Sequence, residues 1–267
     1  MVGLKAHADI NLNFGTYTSD KPTVMVKKFR PILNMLETEM SLIVQEKVKI
    51  KLHIVRSYST GINDLISGRV DFARLGPASY IEAKQKSGAI KILAMESKNG
   101  KKRFNGVICV TEDSDITSIH QLKNKRFAFG NQKSTIGRYL AQSLFIKHGI
   151  YAKDFKSFDY SDRHDIVGYA VTSKHYDAGA MKESTYKKLV KKGRPLKVIA
   201  SFENVTKPWV ARSKLDEKTH GYIKQALLNI SKKAENKIAK KFAFVEGEDS
   251  EYDFVRGAIN NNSKFTK

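Results

Sequence analysis

Short apolar runs alternate along this chain with segments whose apolar residues recur every three to four positions. Residues 10–17 read as a first strand. A long helical segment follows over about 23–44, and Pro31 inside it either starts a second helix or bends the first. Residues 48–55 alternate as a strand, 60–67 form a short helix ending at Gly68, and 70–74 form another strand. Pro77 then sits in the first turn of a further helix. The pattern continues with strands over 90–95, 106–110 and 126–129, and a helix runs from the turn after Phe129 to about His148, stopping at Gly149. Beyond it come a strand over 155–160, a helix over 163–172, strands over 176–180 and 196–202, and helix over about 216–242.

Alternation of this kind predicts an α/β fold with mostly parallel sheets. Ligands of open α/β sheets bind outside the carboxyl ends of the strands. Five such ends are rich in hydroxyls or N–H donors and feed a helix: Tyr17-Thr18-Ser19, Tyr58-Ser59-Thr60, Gly76-Pro77-Ala78-Ser79, Lys133-Ser134-Thr135 and Arg163-His164-Asp165. A helix start carries unpaired N–H groups and the positive end of the peptide dipoles, so it accepts an anion. The fourth turn says most, because an apolar strand runs through a polar loop onto Ser134 or Thr135. Each turn alone is equally a helix cap. Their number points to a small oxyanion held by donors, with few carboxylates nearby.

Composition narrows this reading. The chain has 267 residues, 41% of them hydrophobic, enough for one large or two medium domains with real cores. No run approaches the roughly 18 to 20 apolar residues that span a bilayer, and residues 1–8 lack the apolar stretch of a signal peptide. The protein is then cytoplasmic, or exported with its leader removed. Cys109 is the only cysteine, which excludes an internal disulfide or a cysteine cluster for zinc. A formal net charge of +21 attracts anions. It comes without a basic arm or a nucleic-acid motif, and the runs 98–103 and 187–192 read as solvated turns and helix faces. Nucleophile elbow, zinc-protease and Walker signatures are all missing, which argues against an enzyme. The acidic stretch 249–253 reads as an exposed turn.

Longer motifs stand in order along the chain. They are Phe14-Gly15-Thr16-Tyr17 with Lys21-Pro22, Phe29-Arg30-Pro31-Ile32-Leu33, Ser57-Tyr58, the run from Gly68 to Tyr80, Asp113-Ser114, the run from Phe127 to Gly137, His164-Asp165 and Tyr176-Asp177-Ala178-Gly179-Ala180. Over about residues 10–260 this resembles the phosphate/phosphite/phosphonate-binding proteins that serve ABC importers. The resemblance implies a type II periplasmic binding protein fold: two α/β lobes, joined by two crossing segments, that close on the ligand. The crossings are expected near 106–112 and 201–208. Lobe one is expected to hold residues 1–106 plus 205–267, and lobe two residues 107–204.

By the same resemblance, Ser134, Thr135 and Gly137 hold the ligand's oxygens, with Ile136 standing where the family has a second serine. His164 and Asp177 match further family positions; His164 also reads as a helix cap beside Asp165. Tyr17 and Tyr58 line the pocket or simply pack, Ser79 is favoured over Tyr80 as a donor, and Trp209 walls the cleft or fills the core. The implied partners are a small oxyanion captured between the lobes and an ABC permease, with the protein a monomer outside the cytoplasm and no cofactor or metal. The alternative partner is a sensor kinase. In that version Cys109, otherwise a small buried hydrophobe, binds arsenite as a thiolate.

Overall fold

The computed structural model describes residues 9–18, 22–97, 100–232 and 243–267. Ser19, Lys21, residues 98–99 of the first basic run and residues 233–242 of the expected last helix lie outside them. Two mixed sheets organise the chain, each in its own compact unit.

The first sheet has the order β11-β4-β10-β3-β1-β2. Strands β1 (Ile10–Tyr17) and β2 (Val48–Val55) pair in parallel from Ile10–Val48 to Tyr17–Val55, and β1 also pairs in parallel with β3 (Phe72–Arg74). Strands β4 (Lys91–Ser97), β10 (Pro208–Ala211) and β11 (Ala243–Val245) extend the sheet in antiparallel fashion. Helix α1 (Pro22–Val44) covers one face with Met25, Phe29, Ile32, Leu33, Leu36 and Met40, the three-and-four spacing that puts them on one stripe. Pro31 neither splits nor restarts α1. It only leaves the Lys27 carbonyl without a helical donor. Trp209 is fully buried and stacks on Phe14, 4.6 Å between ring centroids, so it belongs to the core. Helices α2 (Tyr58–Ile66), α3 (Pro77–Ser87) and α7 (Glu217–Lys232) complete the elements near this sheet.

The second sheet has the order β7-β6-β8-β5-β9. Strands β6 (Arg126–Phe129), β7 (Ser157–Tyr160) and β8 (Ala178–Lys182) are parallel to one another. Strand β5 (Arg103–Thr111) runs antiparallel to β8 and, along its whole length, to β9 (Leu196–Val205). A helical run over 135–147 follows β6, with its first part in π geometry (Thr135–Leu140) and the rest forming α4 (Ala141–Lys147). Helix α5 (His164–Thr172) follows β7, and α6 (Glu183–Lys191) follows β8. Among the described residues five of the nine strand pairings are antiparallel, so the sheets are mixed where the alternation predicts mostly parallel ones. The parallel pairs are those joined by a helix. The antiparallel ones bring together strands far apart in the chain.

The first unit comprises Met1–Leu75, Tyr80–Lys102 and Thr206–Asp249, and the second Gly76–Ser79, Arg103–Val205 and Ser250–Lys267. Residues 250–267 pack within the second unit rather than with the N-terminal part. Phe265 is fully buried against Phe129, Phe155 and Phe158, and the Asn262 amide donates to Gln142 Oε1 at 2.7 Å. The acidic stretch is likewise no plain exposed turn. Tyr252 is fully buried, Glu251 pairs with Arg103 at 3.2 Å, and Asp249 accepts from the Tyr80 hydroxyl at 2.7 Å. Helix α8 (Asp253–Asn260) follows.

Candidate functional site

The second unit gathers its polar turns at one end of its sheet. Strand β6 stops at Phe129 because Gly130 turns the chain, and the Gly130 N–H donates to Gly137 O at 2.7 Å. The two glycines touch backbone to backbone. A Cβ on Gly137 would lie 2.6 Å from Gly130 Cα, and one on Gly130 would lie 2.9 Å from Gly137 Cα. No larger residue fits either position without moving main chain. Inside this closed loop, Asn131 accepts from Lys133 N–H through its side chain and from Ser134 N–H through its carbonyl, both at 2.8 Å.

Ser134 caps the helical run. Its Oγ accepts from Gly137 N–H at 3.0 Å, and its carbonyl accepts from both Arg138 N–H and Tyr139 N–H, which widens the first turn into π geometry. Thr135 Oγ1 accepts from Ala78 N–H at 3.0 Å, and both hydroxyls are buried, Ser134 at 4% and Thr135 at 6% exposure. Each hydroxyl therefore uses one lone pair inside the protein and keeps its O–H as a donor. The Ala78 contact joins two of the sequence-predicted turns, since Gly76–Ser79 belongs to this unit and Ser79 is 1% exposed there. Two helix starts, each with positive dipole character, thus meet at one hydroxyl.

His164 lies at the same end. Phe129 stands opposite Tyr160 in the β6–β7 pairing, Ser161 N–H donates to Phe129 O at 2.9 Å, and His164 opens α5 three residues further on, 6% exposed. Arg163 binds Asp165 through two hydrogen bonds of 2.9 and 3.1 Å. Burial opposes ionisation of Asp165, but those bonds outweigh it and hold the carboxyl below its usual range. Arg163 and Asp165 therefore neutralise each other.

Asp177 is placed elsewhere. Strand β8 begins at Ala178, opposite Phe127, so Asp177 sits at the amino end of the parallel strands beside Arg126. Its carboxylate takes the Arg126 backbone N–H and guanidinium, each at 2.7 Å. The Arg126 hydrogen bond lowers its pKa against partial burial. This carboxylate faces a structural partner at the wrong end of the sheet, and the expected ligand role is withdrawn.

Cys109 is fully buried in β5 with Sγ 3.6 Å from Gly179 O, and burial pushes its thiol up to about 12. No thiolate forms there near neutral pH, so the arsenite reading loses its ligand.

In the first unit, Tyr17 ends β1 and Tyr58 opens α2, both at the carboxyl ends of the parallel strands. Their rings stack with centroids 4.0 Å apart and planes at 27°. Gly61 lets them close up, since a Cβ there would meet the Tyr17 ring at 2.9 Å. Ser57 caps α2 by accepting from Thr60 N–H at 3.0 Å.

Three features escape sequence reading. The turn that holds Ala78 is predicted, but its pairing with Thr135 carries no mark in the sequence. Gly106 lies opposite Lys182, and a Cβ on it would be 2.8 Å from Ile136 and 2.4 Å from Phe202, so Ile136 packs into a slot only glycine leaves. Arg138 donates to Gln132 O at 2.7 Å and lies over the Tyr139 and Tyr160 rings, bracing the loop. A glycine inside an apolar strand is the one signal that marked any of the three. Among the described residues, no group of three His, Cys, Asp or Glu side chains is arranged to hold a metal ion, and no helix is long and apolar enough to cross a membrane.

Residues 14–252 match the family model for the phosphonate ABC transporter periplasmic substrate-binding protein. The chain is 26% identical over 263 residues to the probable ABC transporter phosphite binding protein PhnD1 of Prochlorococcus marinus (strain MIT 9301), covering 90% of this chain and 86% of that protein. It is 26% identical over 245 residues to the phosphonates-binding periplasmic protein of Escherichia coli (strain K12), covering 87% of this chain and 70% of that one. Among solved structures, PhnD1 from Prochlorococcus marinus (MIT 9301) in complex with methylphosphonate matches with a TM-score of 0.79 at 24% identity, covering 95% of this chain and 98% of the other. The fold is that of type II periplasmic binding proteins.

Proposed function

The chain belongs to the family of phosphonate ABC transporter periplasmic substrate-binding proteins, and from that premise we propose that it captures a tetrahedral phosphorus oxyanion (phosphate, phosphite or a small phosphonate) at the helix start formed by Ser134, Thr135 and Gly137. The family is one of binding proteins, not of enzymes. The observation that carries the proposal is the hydrogen bond from Ala78 N–H to Thr135 Oγ1. It brings a second set of helix-start amides onto a buried pair of hydroxyls whose O–H groups remain free to donate. Among the described residues no carboxylate accepts from Ser134, Thr135 or Gly137. Such a place is electrostatically incomplete until an anion fills it, and charge-assisted bonds there are short and strong.

His164 and Ser79, in the same unit, join as further donors in this reading. The protein works outside the cytoplasm and hands the anion to a membrane permease. Ligand binding favours whichever conformation makes the most of these bonds, by its differential affinity for that state.

Isothermal titration of ligand-stripped protein with phosphate, phosphite, methylphosphonate and sulfate tests this. Heat of binding is expected with at least one phosphorus oxyanion and is weakened or lost in Ser134→Ala. Absence of heat with all three, or equal affinity in the variant, overturns the proposal.

A further inference from the structure

One face of the second unit lies outside the anion site and has no role in the reading above. Residues 183–197 carry six basic side chains and one acid, Glu183. Helix α6 turns Thr185 and Leu189 inward and leaves Lys187, Lys188 and Lys191 in solvent, with Lys192 and Arg194 exposed just beyond its end. Glu183 pairs with Lys187. Among the described residues Lys188, Lys191 and Lys192 have no carboxylate within ion-pair distance.

Apolar side chains stand exposed beside these cations: Val190 at 41%, Tyr169 at 39% and Ile166 at 38%. The Arg194 guanidinium lies 5.1 Å over the Tyr169 ring and joins the end of α6 to α5. A shallow groove of about 430 Å³ opens there, lined by Ile166, Tyr169, Ala170 and Arg194 among others. Two hydroxyls border it, but Thr172 donates back to Tyr169 O and Ser173 to Ala170 O, so neither offers its proton to a ligand. The groove suits an apolar guest beside a cation, not a sugar or a free phosphate ion.

We infer that this face docks on an anionic phospholipid bilayer. Clustered lysines meet the negative surface potential of such a bilayer, and each adds to the attraction without any need for geometric fit. A tyrosine and two aliphatic residues among them match the boundary between headgroups and acyl chains. Protein interfaces are instead depleted in lysine, which disfavours a polypeptide as the occupant. The chain's formal net charge of +21 brings it to any anionic surface, and the 187–194 face decides which side touches.

Flotation of the purified full chain with phosphatidylglycerol and phosphatidylcholine vesicles tests the inference. Wild type is expected to float with phosphatidylglycerol only and to be released as salt rises. Replacing Lys188→Glu, Lys191→Glu, Lys192→Glu and Arg194→Glu together should lower the partition coefficient at least about tenfold. The same number of reversals at Lys27, Lys47, Lys51 and Lys218, exposed in the first unit, should cost far less. A circular-dichroism spectrum and urea midpoint like those of wild type check the fold of each variant; if the fourfold variant fails this check, Lys188→Glu with Lys191→Glu replaces it. Equal losses in the two sets would assign the effect to net charge and overturn the proposal. So would failure of wild type to float, or binding only to vesicles that contain membrane protein.

Discussion

The two ends of the five-stranded sheet are built from different residues, paired charges at one and neutral hydrogen-bonding groups at the other. At the amino end of β6 and β8, charge meets charge: Asp177 takes the Arg126 guanidinium, and Lys174 reaches Asp113 at 2.7 Å. These two acids already have cationic partners, which leaves neither carboxylate open to a ligand. At the carboxyl end the neutral Ser134 and Thr135 hydroxyls accept from the Gly137 and Ala78 amides and keep their own O–H groups to donate, and the nearby Arg163–Asp165 pair cancels itself. On the proposed reading, the anion is drawn by the O–H groups these hydroxyls keep as donors rather than by charge. In that proposal a strongly basic chain holds its anion where, among the described residues, no lysine or arginine is hydrogen-bonded to the capping hydroxyls.

Disrupting the carboxyl end should give the largest effect. Gly137→Ala places a methyl against Gly130 main chain, which has no rotamer to move. Oxyanion affinity should fall by more than about a hundredfold and stability by about 1–3 kcal/mol, the usual range for overpacking. Titration calorimetry and urea unfolding read the two effects. Thr135→Val keeps the shape and removes the hydroxyl, leaving the Ala78 N–H buried without its acceptor. A loss of about 1–3 kcal/mol in stability is expected, with about tenfold or greater weakening of phosphite binding.

Asp177→Asn sharpens the contrast from the other end. Oxyanion affinity should stay unchanged, while the stability difference from wild type should depend on pH. The native carboxyl titrates below its unfolded value because of its Arg126 bonds. Its contribution is therefore present above the ordinary carboxylate range and is lost as pH falls through the folded pKa. Unfolding curves at neutral pH should separate the two proteins, and curves in strong acid should converge. Separation that persists in acid would contradict the assignment. The smallest effect belongs to Cys109→Ser. With the native thiol pushed up to about 12 by burial, wild type should not react with a thiol reagent until unfolded, and the variant should bind phosphite as wild type does.

Much of this was legible in the sequence because it is local. Strand 126–129 is an apolar run, the loop after it is polar, and a hydroxyl residue opens the helix, so a start at Ser134 or Thr135 follows from spacing, and the structure puts the cap on Ser134. Pairing across the chain was not legible. Four-residue β10 carries no period, and it joins β3 and β4 from more than a hundred residues away. The ligand role expected of Asp177 came from family resemblance alone; the strand expected over 176–180 runs over 178–182, so the carboxylate precedes it and meets Arg126. Phe265 carries no signal either, since a lone phenylalanine near a lysine-rich terminus looks the same whether exposed or, as here, fully buried.

The central claim is that the helix start at residues 134–137, met by Ala78, is where the anion sits. Amide chemical-shift mapping tests it most directly: isotope-labelled, ligand-stripped protein is titrated with methylphosphonate or phosphite. The account predicts the largest shifts at Ala78, Thr135, Ile136 and Gly137, with Arg126 and Asp177 unmoved. Shifts centred on Arg126 and Asp177, or none in the 134–137 loop on saturation, would contradict it.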